Sequence, residues 1–312
     1  MLVTGGRGFL GSHLCLRLAA MAPQGCEVLS LDNGTRDCFA ALGQEAPSAL
    51  RFIEGDLLHP EQWLAEVGRP SVVVHCAALA GVSTYYKRPT AVLHVNGIGS
   101  ARLLEALVSL GPELVVNLST SEVYGPHAEG VRESDLTPVG PVSDPRWSYA
   151  ASKIFAEHLL FATAREHGLP VVSLRPFNVY GPGQVGEGAV RNFCARAASG
   201  EALTVTGDGS PTRAWLFVDD FTRAVLAVAA EASCWGRTYN VGDPKARVST
   251  LELATRINEL AKSDVPVEFE PHQGQDVLHR WPCVDALTEA TGWRPQVGLN
   301  EGLQRTLEFW RA

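Results

Sequence analysis

Tyr149 and Lys153 stand four residues apart in WSYAASK, at the head of a stretch whose pattern predicts a helix over 147–167. That spacing brings both side chains onto one helical face. A phenol ordinarily ionises near pH 10 and makes a poor base. An adjacent ammonium favours the phenolate, which makes Tyr149 a candidate acceptor for the proton of a substrate hydroxyl. Lys153 has a second use there, as a donor to a bound ribose. Tyr–Lys pairs at this spacing are common on exposed helices, so the reading depends on what else the chain supplies.

The N-terminus supplies a second group. In MLVTGGRGFLGSHL, Gly5, Gly8 and Gly11 follow a short apolar strand and precede a helical stretch. A helix starting there points unsatisfied N–H groups and its positive dipole end at the loop, which suits an anion. Bare glycines let the chain turn, let a pyrophosphate approach, and let helix and strand pack closely. Asp32 closes the second predicted strand, about 20 positions later, the separation at which a carboxylate meets an adenosine ribose. It would accept hydrogen bonds from the ribose hydroxyls and repel a 2′-phosphate, favouring NAD over NADP; Arg36 nearby points the other way.

The elements that must position these residues alternate. Strands are predicted near 1–4, 27–32, 50–54, 71–76, 113–118 and 170–175, and helices near 9–22, 60–67, 90–110 and 147–167. This alternation implies an α/β fold, a Rossmann-like doubly wound parallel sheet with right-handed crossovers. Beyond 175 the pattern loosens: RPFNVYGPGQVGEG is rich in turn formers and GDGSPTR reads as an exposed loop. Helices near 219–231 and 300–311 frame a smaller C-terminal α/β lobe. The expected division is a dinucleotide-binding domain over 1–175, rejoined by some later segments, and a mainly substrate-binding lobe over 176–312. No internal repeat, low-complexity tract or linker interrupts it.

Composition narrows the function classes. A chain of 312 residues with 46% hydrophobic and 19% charged residues suits a globular enzyme, and its net charge of −8 argues against nucleic acid or an anionic membrane as partner. No apolar run approaches the ~20 residues that span a bilayer. Met1 leads straight into a strand, without the basic segment and apolar core of a secretory leader. The seven cysteines are scattered with no C-x-x-C pair, which fits reduced thiols rather than disulfides or a metal site. A cytoplasmic, metal-free enzyme is expected.

Taken in order, GGRGFLG, Asp32, GDL at 55–57, HCAA at 75–78, STSEVYG at 119–125, Y-x-x-x-K at 149–153 and RPFNVYGPG at 175–183 resemble the extended short-chain dehydrogenase/reductases over nearly the whole chain. The resemblance implies bound NAD and a nucleotide-sugar substrate. It assigns Gly5, Gly8, Phe9, Leu10, Gly11, Asp32, Asn33, Asp56, Leu57, Ala77, Ala78, Tyr149 and Lys153 to the cofactor. Asn178, Arg213 and Arg280 fall to the nucleotide sugar, and Thr120 to a substrate hydroxyl beside the tyrosine.

Within the family, 4,6-dehydratases resemble S-T-D-E-V-Y-G, whose aspartate protonates a departing hydroxyl. Ser121 stands there instead, and serine is a poor acid. The Ser121–Glu122 pair, GPVSDPRWSYAASK and QDVLHRWP at 275–282 are similar to UDP-glucuronate decarboxylases, with Arg280 matching a functional arginine. The loop LAGVSTYYKRP after H-x-A-A is more like epimerases and dehydratases than like the proline-bearing loop of those enzymes, and Gly183 stands where they tend to carry arginine. The implied catalytic set is Thr120, Ser121, Glu122, Tyr149, Lys153 and Arg280, converting UDP-glucuronate to UDP-xylose or the 4-keto-pentose through a 4-keto acid, with Glu122 repelling the leaving carboxylate. A 4-epimerase, a 4,6-dehydratase and a non-catalytic NAD-binding regulator are the alternatives. The resemblance also implies a homodimer through a four-helix bundle, using Leu103, Leu104, Leu107, Phe155, Leu159 and Leu160.

Overall fold

The runs LVT, VLSL, VVV and LVVNL are nearly continuous β-branched and leucine sequence, the composition of strands covered on both faces. In the computed structural model, which describes residues 1–271 and 277–311, they form β1 (Leu2–Thr4), β2 (Val28–Asp32), β3 (Leu50–Glu54), β4 (Val72–His75) and β5 (Leu114–Leu118). β6 (His127–Val131) leaves the sheet and β7 (Val171–Pro176) rejoins it. β8 (Val179–Tyr180), β9 (Leu203–Thr206), β10 (Thr212–Ala214) and β11 (Leu216–Phe217) follow in the second lobe. β12 (Thr238–Val241) returns to the main sheet, and β13 (Arg247–Ser249), β14 (Val267–Glu270) and β15 (His279–Pro282) complete the lobe. Gln275 and Asp276 of the QDVLHRWP stretch lie outside the described residues.

The main sheet has seven parallel strands in the order β12-β7-β5-β4-β1-β2-β3. The chain winds outward from β1 to β3, then starts again at β4 on the other side. The crevice beyond the carboxyl ends of β1 and β4 is therefore a switch point, where doubly wound sheets bind ligands. One face is covered through Leu14, Leu18, Phe221 and Val225 of helices Phe9–Met21 and Val218–Ala230. The other is covered through Leu103, Leu107 and Leu160 of helices Ser100–Leu110 and Ser148–His167. The second lobe packs helices Ala189–Ser199, Thr250–Ala261 and Leu299–Arg311 around Phe193, Leu253, Ile257 and Leu303. No helix among the described residues is long and apolar enough to cross a membrane.

Three local expectations are corrected. The stretch near 60–67 is a 3-10 turn, Pro60–Gln62, followed by a four-residue helix, Leu64–Val67. The 90–110 helix starts at Pro89 and is interrupted by a π-helical segment, His94–Gly99. Asn96 in that segment accepts from the Leu79 amide at 2.7 Å and donates to the Leu79 carbonyl at 3.1 Å; the widened turn coincides with the side chain that clips the loop after β4. Most of the leucines expected to face a second subunit are committed to the sheet: Leu103, Leu104, Leu107 and Leu160 are buried and Leu159 partly so, while Phe155 is half exposed.

Candidate active site

The glycine loop is bare because backbone fills the space around it. Gly5 has φ +68°, and a Cβ there would lie 2.6 Å from Ala77 Cα; a Cβ on Gly11 would lie 2.0 Å from the Gly5 carbonyl oxygen. Gly8 caps helix Phe9–Met21 with no side-chain partner of its own, leaving that terminus open to an outside acceptor. Asp32 accepts from the Arg7 amide at 3.0 Å and the Gly34 amide at 2.9 Å. Burial raises its pKa, against the pull of these two amides and the Arg7 charge. Each oxygen keeps a second lone pair for a ligand hydroxyl. Asp56 accepts from the Leu58 amide and Trp63 Nε1 bonds its carbonyl, which fixes the turn after β3. Buried His75 receives Thr4 Oγ1 on Nδ1 and meets Ser100 Oγ with Nε2; burial, then the Lys153 charge, hold it neutral, at about 3.

Gly5, Gly8, Phe9, Leu10, Gly11, Asp32, Asn33, Asp56, Leu57, Ala77 and Ala78 line one cleft of about 420 Å³ together with Thr120, Ser121, Glu122, Tyr149, Lys153, Asn178 and Arg280. Arg213 does not line it. It lies on β10 in register with Arg280 on β15, bonded to the carbonyls of Thr212 and Leu278. Asn178 does, at φ +37°, a strained region that asparagine tolerates better than most residues. Its Nδ2 donates to the Ala214 carbonyl at 2.9 Å, tying the end of β7 to the second lobe.

Tyr149 and Lys153 are buried in the first turns of helix Ser148–His167. Lys153 Nζ donates to the Leu118 carbonyl at 2.8 Å; burial lowers its pKa to about 8, against the pull of Cys76 and Glu157. The phenol of Tyr149 is pushed well up, first by burial and then by the Glu122 carboxylate, with the Thr120 hydroxyl opposing. This corrects the expectation that Lys153 lowers it: the ammonium is bound to a backbone carbonyl, and Tyr149 is a neutral phenol here.

Glu122 sits in the 3-10 turn Ser121–Tyr124 with Thr120 as its N-cap. Its carboxylate is gripped from both sides, Arg280 Nη1 at 2.6 Å from Oε1 and Arg146 Nη1 at 2.6 Å from Oε2. Burial raises its pKa, yet the two guanidiniums prevail and hold it at about 2. Glu122 is thus an ionised, compensated carboxylate, and the cluster carries a net positive charge. That corrects the expectation of repulsion: the cluster attracts an anion. Arg280 is 3% exposed and lines the cleft, and its Nε and Nη2 have no hydrogen-bond partner among the described residues, a costly state that an anionic ligand would relieve.

Sequence reasoning missed two residues. Tyr85 stacks on Tyr149, ring centroids 4.9 Å apart and planes 9° apart. Arg146 backs Glu122 and lies over the Tyr85 ring. Arg146 was legible as a cation three positions before the tyrosine; Tyr85, among polar neighbours in VSTYYKR, carried no signal.

A family model described as the NAD dependent epimerase/dehydratase family matches residues 1–242. The UDP-N-acetyl-alpha-D-glucosaminuronate decarboxylase of Bacillus cytotoxicus is 33% identical over 99% of this chain and 97% of its own length. The UDP-glucuronic acid decarboxylase 6 of Arabidopsis thaliana is 34% identical over 100% of this chain and 88% of its own. Among solved structures, MoeE5 in complex with UDP-glucuronic acid and NAD superposes with a TM-score of 0.87 at 31% identity, over 99% of this chain and 98% of that one. The glycine loop, Asp32 and the Tyr149–Lys153 pair all face one cleft; the chain belongs to the NAD dependent epimerase/dehydratase family, and NAD is its cofactor.

Proposed function

We propose that the protein decarboxylates a nucleotide-linked uronic acid, UDP-glucuronate to UDP-xylose or the UDP-4-keto-pentose. The observation that carries this reading is the Arg280 guanidinium, buried, partly unpartnered and facing the same cleft as Tyr149. A nucleotide-linked hexose offers that cation only the diphosphate every such substrate carries, whereas a uronate adds a carboxylate next to the reacting carbon. The glycine loop, Asp32 and Lys153 would hold NAD, which would supply a reversible hydride acceptor for the sugar C4. Tyr149, in its phenolate form, takes the C4 hydroxyl proton and Thr120 holds the oxygen. In the resulting 4-keto acid the carboxylate is β to a ketone. The C5–C6 bond breaks, carbon dioxide leaves, and the electron pair moves onto the C4 oxygen, where Tyr149 and Thr120 donate; the ketone re-forms as a solvent proton adds at C5. Arg280 orients the carboxylate, Glu122 tempers its grip, and Ser121 lines the wall where a dehydratase needs an acid. Lys153 donates to the nicotinamide ribose, and Asn178 serves the nucleotide.

The test is incubation with UDP-glucuronate and, separately, its N-acetylglucosamine-derived counterpart, with mass spectrometry of the products. Loss of carbon dioxide from either supports the reading. Isomerisation at unchanged mass would replace it with an epimerase, and an inert mixture with a regulator. Asp32→Ala should weaken NAD binding about 10- to 100-fold by calorimetry, the effect of losing hydrogen bonds to a charged acceptor at ~1.5–3 kcal/mol. Unchanged affinity would mean the ribose lies elsewhere.

The assembly we propose is a homodimer in a reducing compartment such as the cytoplasm, where seven free cysteines would persist. Its seam is drawn through the exposed apolar residues of the two long helical stretches, Leu93, Ile98 and Phe155, rather than the buried leucines. Light scattering at micromolar concentration should give a dimer, and Phe155→Glu should shift it toward monomer. A monomeric parent would refute the assembly.

A further inference from the structure

Behind the catalytic pair lies a buried polar network that the reaction steps above do not use. Glu157, one turn after Lys153, accepts from Arg175 Nε at 3.0 Å and Nη2 at 2.7 Å, and from Ser173 Oγ at 3.1 Å. Both side chains of the ion pair are 8% exposed. Arg175 Nη1 donates to the Tyr124 hydroxyl at 2.9 Å, which donates to Asn240 Oδ1 at 2.8 Å. Ser173 also receives Asn117 Nδ2 at 3.1 Å, and Asn117 precedes Leu118, whose carbonyl holds Lys153. None of these network side chains lines the cleft. The network nevertheless touches all three segments that carry chemistry: the turn ending at Tyr124, the helix of Tyr149 and Lys153, and the end of β5. A buried ion pair adds little stability over apolar residues of similar volume, so its effect here is electrostatic and geometric.

We propose that Glu157, clamped by Arg175, is a positioning residue for the Lys153 ammonium, fixing that group against Leu118 and keeping it a cation in a site that strips charge. The inference rests on the nucleotide-sugar reading only for the use made of the cation. Around Lys153 stand His75 and Cys76 from the end of β4, the Leu118 carbonyl from β5, and Tyr149 and Glu157 from its own helix. His75 is held neutral, and burial pushes the Cys76 thiol and the Tyr149 phenol up, so both stay protonated. Glu157 is left as the charged counter-ion, with part of its field absorbed by Arg175. Removing the carboxylate leaves Arg175 to repel Lys153; removing Arg175 hands the whole carboxylate to Lys153. The two changes must therefore move Lys153 in opposite directions.

The chain has four lysines, and Lys87, Lys245 and Lys262 are exposed while Lys153 is buried. In the full chain labelled at lysine, with and without added NAD, the Lys153 resonance can be titrated by NMR without substrate or turnover, and assigned by its absence from Lys153→Met. The parent should titrate near pH 8 when free of NAD. Glu157→Gln should lower that midpoint by about one pH unit or more, Arg175→Met should raise it, and Glu157→Asp should restore it. A role confined to stability predicts lower melting temperatures with the midpoint unmoved, and that result overturns the proposal. If Glu157→Gln does not fold, Arg175→Met decides alone, since an unmoved or lowered midpoint in it is equally fatal. The readout is independent of whether carbon dioxide is ever released, so it fails separately from the functional reading.

Discussion

Tyr149→Phe should lose about 1,000-fold in oxidation of the sugar C4 while retaining NAD, within the ~10²–10⁴ range for removing a positioned acid–base group. The substitution deletes one oxygen and keeps the ring that stacks on Tyr85 at 4.9 Å, so packing and cofactor retention serve as internal controls. A single turnover followed at 340 nm reads the step directly. The buried phenol is held protonated by its surroundings, the Glu122 carboxylate among them. The parent's hydride-transfer rate should therefore rise with pH until the phenol deprotonates, and Tyr149→Phe should have lost that limb. A variant that still transfers hydride at near the parent rate would remove Tyr149 from the chemistry.

Glu122→Gln should bind UDP-glucuronate more tightly and release carbon dioxide at least about 100-fold more slowly. The reason is the charge count of the cluster. Two guanidiniums and one carboxylate meet at 2.6 Å contacts, leaving one positive charge to hold the substrate; the glutamine leaves two. Carbon dioxide departs neutral, so any extra attraction to the carboxylate stabilises the ground state and is lost in the transition state. The lower KM and lower kcat must therefore appear together, provided the parent first releases carbon dioxide. The Tyr149 phenol, relieved of a neighbouring anion, should also deprotonate at lower pH in this variant. If Glu122→Gln matches the parent in all three respects, Glu122 only seats Arg280.

Much of this was legible because local sequence and global fold agree. The buried strand runs, the bare glycines and the acid that closes β2 each carry their own signal, and one cleft gathers them. What escaped the sequence is long-range. Glu122 and Arg280 are 158 residues apart, and nothing local announces that a β15 arginine closes on a turn after β5. Their resemblance to a decarboxylase pair named both residues without giving the compensation that reverses the expected repulsion. The helix faces failed differently: an apolar stripe shows that Leu103 and Leu160 are covered, and does not tell a sheet from a second subunit. β12 was missed because TYNV is too short to stand out by periodicity.

That short strand has a consequence for how the chain is made. β12 is the outer neighbour of β7, but the ribosome delivers it more than sixty residues later, after most of the second lobe. At ~5–20 residues per second, β7 waits roughly 3–13 s with an unpaired, apolar edge once it has emerged. Such an edge is a template for pairing with another nascent chain. A fragment stopped at residue 176 would keep the glycine loop, Asp32 and the Tyr149–Lys153 pair and still carry this open edge permanently. The fragment should therefore aggregate where the whole chain folds, and the vulnerable interval in synthesis ends only when residue 241 has cleared the exit tunnel.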